Sequence, residues 1–298
     1  MEKTITIISA SYRSGEHLSR LFNNLFKKAK NKDLIRFLVV DNTNGDDDRL
    51  EESFLDNLDV KIILNDGRNL QRSISHASAL DVGLIQSNTE FTLIVDPDVH
   101  VFKNGWDNFC LDIFEREQKI VIGAPYPEWK LGKVHDFPSV VFMFFRTQQI
   151  QDLNLSFYPF PPLLKKIKNS FFRKITRLGF YASKNRLDKS DTLRRLSHFL
   201  ERLFGITSPD TGKDIIKALR ERSFKAINLA AYYSHALKPQ KGNLFQYDMA
   251  REFELYFFDN EPFMTHMYGS GVFHWKTKQG SNKEYWLELI NDIERDIR

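Results

Sequence analysis

Apolar residues along the first third of the chain follow two alternating rhythms. Short runs rich in β-branched residues have the length and composition of buried strands: Thr4-Ile5-Thr6-Ile7-Ile8, Arg36-Phe37-Leu38-Val39-Val40, Lys61-Ile62-Ile63-Leu64 and Phe91-Thr92-Leu93-Ile94-Val95. Between the first two, Leu18, Leu21, Phe22, Leu25 and Phe26 recur at helical spacing, the stripe of an amphipathic helix. Ser14 is expected to cap that helix, with Glu16 in its first turn. After the fourth run, Trp106, Phe109, Cys110, Ile113 and Phe114 repeat the stripe, so Cys110 is expected in the core and not as a nucleophile. Strands alternating with helices predict an α/β fold with a mainly parallel central sheet, whose ligands gather beyond the carboxyl ends of the strands.

From about residue 125 the texture changes. Pro125, Pro127 and Pro138 punctuate a loop, and Val140-Val141-Phe142-Met143-Phe144-Phe145 reads as a further buried strand. A basic segment over 160–205 follows Phe160-Pro161-Pro162. Its cations include Lys165, Lys166, Lys168, Arg173, Lys174, Arg177, Lys184, Arg186, Arg194, Arg195 and Arg202, interleaved with Leu163, Leu164, Ile167, Phe171 and Phe172. A helix is expected after Asp210-Thr211-Gly212, buried through Ile215, Ile216 and Leu219. The last helix carries Trp286, Leu289, Ile290 and Ile293. The expected organisation is a first half over 1–125, a second half over 126–280 containing a helical basic insertion at 160–205, and a C-terminal helix over 281–298.

Composition narrows the picture a little. With 42% hydrophobic and 28% charged residues, the 298-residue chain is expected to form a soluble, cored protein. No run approaches ~18 consecutive apolar residues, so no membrane-spanning helix is expected. Met1-Glu2-Lys3 leads into a strand-like run without a leader pattern, and one cysteine suits a reducing compartment, so the expected location is cytoplasmic. A net charge of +4 without a recognised binding module gives no reason to expect nucleic acid. No G-x-G-x-x-G follows the first strand, which disfavours a dinucleotide oxidoreductase.

The acids carry the chemistry. Asp41 closes the second strand in Val39-Val40-Asp41-Asn42, and Asp96 and Asp98 follow the fourth in Val95-Asp96-Pro97-Asp98-Val99. In a parallel sheet both positions open onto one edge, so these carboxylates are expected to converge on a single cleft. Hard oxygen ligands one residue apart suit Mg²⁺ or Mn²⁺, which bridge phosphate oxygens. Asp-Pro-Asp alone also serves as an ordinary tight turn; the second acid at an equivalent strand end favours the functional reading.

These segments together resemble the family 2 glycosyltransferases. The likeness rests on Ile7-Ile8-Ser9-Ala10-Ser11-Tyr12, Val39-Val40-Asp41-Asn42, Ser75-His76-Ala77-Ser78-Ala79-Leu80-Asp81-Val82-Gly83-Leu84 and Asp96-Pro97-Asp98, in that order over roughly the first 110 residues. The resemblance implies a GT-A-type nucleotide-binding sandwich, with the donor in the first half and the acceptor in the second. It also implies a metal-dependent, inverting enzyme that moves a sugar from a nucleotide-sugar to a glycan or lipid-linked acceptor, in surface glycan synthesis. Ser9, Ser11, Tyr12 and Asp41 would flank base and ribose. Asp96 and Asp98 would be the D-x-D aspartates, Asp98 the more direct metal ligand and Asp96 nearer the ribose. The chain departs from the family at Asp41-Asn42, where many members carry two acids.

The remaining roles stay open between two readings each. Arg68 and Arg72 either approach the pyrophosphate or mark a solvated helix start. Asp210 resembles the acidic loop that supplies the general base, or it is a helix cap, in which case Asp136, Asp248 or Glu128 inherits the role. His266, in His266-Met267-Tyr268-Gly269-Ser270-Gly271, resembles the histidine that completes the family's metal shell, and His274 is its rival. The basic insertion reads as a solvated lid or partner contact, or as an amphipathic surface lying on anionic lipid at the inner face of a membrane. A nucleotidyltransferase and a non-catalytic binding protein are the competing functions.

Overall fold

Each early apolar run becomes a strand of one sheet. The structure is a computed structural model that describes residues 4–54, 58–179, 181–237, 244–267 and 283–297. Strand β1 (Ile5–Ser11) leads through helix α1 (Gly15–Lys28) to β2 (Ile35–Asp41) and β3 (Val60–Leu64). Helix α2 (Arg72–Gln86) precedes β4 (Phe91–Val95), the short β5 (Val99–Val101), α3 (Trp106–Arg116) and β6 (Ile120–Gly123). Then come β7 (Phe142–Arg146) and α4 (Thr147–Gln151), and the basic segment folds as α5 (Leu163–Thr176), α6 (Lys184–Lys189) and α7 (Asp191–Phe204). Helix α8 (Lys213–Glu221), β8 (Lys225–Asn228), β9 (Ala230–Ala231), α9 (Leu244–Glu252), β10 (Glu254–Phe258), β11 (Glu261–His266) and α10 (Lys283–Asp296) complete the order.

The seven-stranded sheet runs β3-β2-β1-β4-β7-β6-β8. Its β3-β2-β1-β4 half is parallel, β7 is antiparallel to both neighbours, and β6 and β8 pair in parallel. The expected α/β fold with a mainly parallel sheet is therefore present. Period-two alternation sends Ile5, Ile7, Phe37, Val39 and Leu93 to one face, where Leu18, Leu21, Phe22 and Leu25 of α1 meet Trp106, Cys110 and Phe114 of α3. Ile8, Leu38 and Ile94 face the other side, against Ala77, Leu80 and Leu84 of α2 and Ile215, Ile216 and Leu219 of α8. A Cβ on Gly83 would stand 2.5 Å from Ile8 Cγ2, so glycine lets α2 lie close on the sheet. Cys110 is buried in this core, as its stripe predicts.

A second sheet, β5-β11-β10-β9, lies beyond the carboxyl end of β4. The sequence pattern does not announce it, because its strands are short and two follow charged or turn residues. One expectation needs correcting locally. Ser14 occupies the N-cap position of α1, but its hydroxyl makes no capping bond and donates instead to Tyr12 O at 3.4 Å. No helix among the described residues is long and apolar enough to cross a membrane.

Candidate metal centre and cleft

The turn after β4 is fixed from several directions. Val99 N donates to Asp96 O at 3.3 Å, closing Asp96-Pro97-Asp98-Val99 with proline at the position where its fixed φ suits a β-turn. Asp96 N donates to Val141 O at 3.1 Å. From α1, Arg20 reaches beneath the turn: its Nη2 donates to Val99 O at 2.7 Å and lies 3.5 Å from Pro97 O, while its guanidinium lies 4.4 Å over the Trp286 ring. Burial pulls the Arg20 pKa down to about 10, which leaves it cationic at neutral pH, with Asp98 and Glu16 favouring the charge.

Strand β11 brings the third group. Its antiparallel pairing with β5 sets His266 opposite Val99, and Met267 N donates to Asp98 O at 2.9 Å. The imidazole Nε2 thus stands 3.2 Å from Asp98 Oδ1 and 3.6 Å from Asp96 Oδ2. Asp96, Asp98 and His266 each offer a ligand atom, and all three atoms lie within 4.8 Å of one another. His266 Nδ1 faces Glu254 Oε2 at 2.8 Å, which presents Nε2 to the aspartates. Register explains this contact too, since Glu254 is the cross-strand partner of His266. Glu254 also meets Lys130 Nζ at 2.6 Å and accepts from Tyr256 Oη at 3.1 Å.

The electrostatics follow from those neighbours. Burial opposes the imidazolium, yet Asp98 and Glu254 outweigh it and hold His266 up to about 10. Burial likewise opposes a charged Glu254, and Lys130 and His266 prevail, keeping it down to about 2. The Asp96 carboxyl is pushed up by burial, against the pull of His76 and His266. Two carboxylates beside an imidazole offer two hard oxygens and, once its proton is displaced, one borderline nitrogen, with a carboxylate behind the histidine; this set fits a divalent cation.

These groups lie in a cavity of about 870 Å³ whose lining includes Ser11, Tyr12, Arg68, Arg72, His76 and Lys133. Ser11, Tyr12, Arg68 and Arg72 therefore reach the cleft predicted for them, with Arg68 also paired to Asp66 and Asp46 at 3.1 and 2.9 Å. Ser9 and Asp41 do not line it. Ser9 is buried and donates to Val95 O at 2.8 Å. Asp41 turns its oxygens into its own loop, accepting from Thr43 N at 2.9 Å, Thr43 Oγ1 at 2.7 Å and Gly45 N at 2.9 Å, and Asn42 lines the cleft in its place. Asp41 is held by the nearby donors of its own loop, and Ser9 ties β1 to the carbonyl of Val95 on β4.

Asp210 sits beside the cleft between two of its lining residues, Pro209 and Thr211, and is itself fully buried. It is not the cap of α8, whose N-cap is Gly212 at φ 81°. Its Oδ2 accepts from Val134 N at 3.1 Å; its Oδ1 makes no hydrogen bond among the described residues, with Lys133 Nζ 3.8 Å away. Burial pushes its carboxyl up, against Lys133. Of the alternative acids, Asp136 pairs with Arg220 and Asp248 with Arg251, and neither they nor Glu128 line the cavity. His274 and Gly269-Ser270-Gly271 lie outside the described residues.

Sequence reasoning missed four groups here: Arg20, His76, Lys130 and Glu254. His76 Nε2 stands 3.4 Å from Asp96 Oδ1, opposite His266. Glu254 carried a usable signal, an isolated acid opening the apolar strand Glu254-Leu255-Tyr256-Phe257-Phe258 shortly before a strand ending in His266.

No family model matches the chain, and no curated protein matches it in sequence. Solved structures resemble it at low identity. S. aureus TarS 1-349 in complex with UDP-GlcNAc is 17% identical over 52% of this chain and 48% of that chain, with a TM-score of 0.40. The mannosyltransferase PcManGT from Pyrobaculum calidifontis, in complex with GDP-Man and Mn²⁺, is 14% identical over 53% of this chain and 48% of that one, also at 0.40. S. aureus TarS 1-349 in complex with UDP aligns at 16% identity over 83% of this chain and 78% of that chain, again at 0.40. In the first two comparisons the chain spans about half the length of the solved protein.

Proposed function

We propose that the chain is a metal-dependent glycosyltransferase of the GT-A type that moves a sugar, with inversion, from a nucleotide-sugar to a hydroxyl acceptor. The observation that carries this reading is the convergence of Asp96, Asp98 and His266 in a cleft also lined by Tyr12, Arg68 and Arg72. A divalent cation held by the triad would supply Lewis-acid neutralisation of charge on the departing diphosphate. The chain's own residues do the rest. Tyr12, half exposed at the cleft, offers a ring face to a nucleobase. The Arg72 guanidinium, and that of Arg68 once it leaves Asp66 and Asp46, would bind phosphate oxygens. Arg20 and Glu254 hold the turn and the imidazole in place.

Asp210 is the proposed general base. The acceptor oxygen bonds to the anomeric carbon as the bond from that carbon to the diphosphate oxygen breaks. The nucleoside diphosphate leaves with the electron pair, and the hydroxyl proton passes to Asp210 Oδ1. That oxygen's lack of a hydrogen bond and its raised affinity for a proton both suit the role. Lys133, which lines the cleft in front of it, has to turn aside as the acceptor enters.

The exposed face of α5 bears on where such an enzyme would work. Leu163, Leu164, Ile167 and Phe171 are 61–83% exposed, with Lys165, Lys166, Lys168 and Lys174 interleaved among them. This supports a peripheral position on the cytoplasmic face of an anionic membrane, where surface glycans are assembled on lipid.

The test is a thermal-shift screen with and without Mn²⁺, on the wild type and Asp98→Ala. It covers UDP- and GDP-sugars, the donors held in the solved structures above, with dTDP- and CMP-sugars. Metal-dependent stabilisation by one nucleotide class, lost in the variant, is the expected result, with a gain of about 2.7 kcal/mol at a hundredfold excess over Kd. No shift with any nucleotide would sink the donor site.

A further inference from the structure

A second cavity, of about 500 Å³, lies between α5 and α8 and shares Pro209 with the cleft of the candidate metal centre. Lys165, Lys166 and Arg173 line it from α5, and Lys213, Lys217 and Arg220 from α8. Two of these cations are matched on the spot, Lys217 by Glu221 at 3.7 Å and Arg220 by Asp136. Asp214 also lines the cavity. Among the described residues, Lys165, Lys166, Arg173 and Lys213 form no ion pair with any acid. The Lys213 ammonium is accordingly drawn below its ordinary pKa by burial, and Lys165 adds to this against the opposing pull of Asp214.

Six cations against the carboxylates of Asp214 and Glu221 leave this half-enclosed space with an excess of positive charge. An anion of one or two charges would balance part of it. Ammonium groups and an arginine fork on two facing helices suit phosphate oxygens better than a single carboxylate, because several donors converge from different directions. The cavity is larger than one phosphate needs, so it has room for a neighbouring sugar or polyol unit. Its shared wall at Pro209 adjoins Asp210, the proposed base.

We propose that this second cavity binds the phosphate of the acceptor, so that the sugar is transferred to a phosphate-bearing glycan or glycolipid and not to a neutral one. The inference rests on the glycosyltransferase reading for the word acceptor, but phosphate binding itself does not. Phosphate in the basic cavity would point the attached hydroxyl-bearing unit across Pro209 into the cleft of the candidate metal centre. The phosphate has two sources, a lipid-linked glycan or a water-soluble polyol-phosphate chain. The exposed Leu163, Leu164, Ile167 and Phe171 on the same helix give the first source an apolar seat that the second would not use.

The experiment is calorimetric titration of the full chain with inorganic phosphate, glycerol phosphate and farnesyl phosphate, in EDTA so that the metal-dependent donor site stays silent. The variants are Lys165→Ala/Arg173→Ala/Lys213→Ala and the milder Lys165→Gln/Lys213→Gln, should the first fail to fold. Expected is saturable binding to the wild type, weakened on the order of tenfold or more in the variants. Tighter farnesyl phosphate binding that Ile167→Glu/Phe171→Glu reduces to the glycerol phosphate level assigns the lipid source. Equal affinity for both phosphates, unmoved by that variant, assigns the soluble one. No binding to the wild type, or equal binding to the cation variants, overturns the proposal. The nucleotide-dependent thermal shift, run on the same proteins, should persist in the cation variants. Its absence from the wild type would remove the donor reading while leaving phosphate binding to be judged by titration.

Discussion

Glu254 has no place in the proposed chemistry and yet settles the orientation of the group that does. Its carboxylate takes Lys130 on one oxygen and His266 on the other, so one side chain ties three elements to the candidate metal centre. Glu254→Gln keeps the volume but gives up the charge behind the imidazole. Outer carboxylates of this kind are typically worth 10–100-fold in metal affinity. We expect Glu254→Gln to weaken Mn²⁺ binding on the order of tenfold or more in a direct titration, with far-ultraviolet circular dichroism unchanged. Unaltered affinity would show that register alone orients His266. The same residue marks the boundary of what the sequence discloses. Asp96 and Asp98 stand out only together with Asp41 at an equivalent strand end, because a proline-locked pair of acids also serves as an ordinary tight turn. His266 stood out beside its glycines. Glu254, His76 and Arg20 stayed hidden because each meets its partner through pairing or packing between distant segments, which no local spacing encodes. Ser9 and Asp41 stand outside the cleft lining because position along a strand does not tell whether a side chain bonds to the neighbouring strand, as Ser9 does, or to its own loop, as Asp41 does.

Elements dock through charged contacts as well as apolar ones, and α10 is the clearest case. Trp286, Leu289, Ile290 and Ile293 bury its apolar stripe as the sequence predicts. Glu294 then meets Lys28 of α1 at 2.8 Å and His100 of β5 at 3.1 Å. Burial drives His100 down to about 4, against Glu294, so it stays neutral in the fold. Burial works against a charged Glu294 too, but His100 and Lys28 bring it down to about 2. Both folded values lie below the unfolded ones, so in each case the unfolded chain binds the proton first. Stability on this account is full above about pH 6.5, falls as His100 is driven toward protonation near 4, and falls further as pH drops from about 4.5 toward 2. Melting temperature followed across pH should show both arms, and Glu294→Gln should flatten the lower one while reducing the melting temperature near neutrality by a few degrees. A variant curve parallel to the wild type at low pH would contradict this. The first-half elements were legible because strand and helix rhythms are long and regular there. Strands β8 and β9 were not, since Lys225–Asn228 and Ala230–Ala231 are too short to establish a rhythm.

At the scale of the whole molecule, the basic segment is tied to the body by charge while its apolar face turns outward. Glu201 of α7 accepts from Gly132 N and meets His135 Nε2 at 3.0 Å. Burial opposes its charge, but His135 and His198 hold it down to about 2. Phe172 and Phe204 stack at 4.5 Å to join α5 to α7. What remains exposed on α5 is the face argued above to meet lipid. Cosedimentation with vesicles containing anionic phospholipid should therefore capture the protein, and Ile167→Glu/Phe171→Glu should reduce the bound fraction at least severalfold, more than added salt does. Equal capture by neutral vesicles, or no capture at all, would count against a membrane position. One further consequence follows from the pairing of β11 with β5. The imidazole that faces the two aspartates is synthesised only after β6 to β10 have followed them. A polypeptide ended between β8 and β11 therefore carries every strand of the first sheet and lacks the third group of the triad.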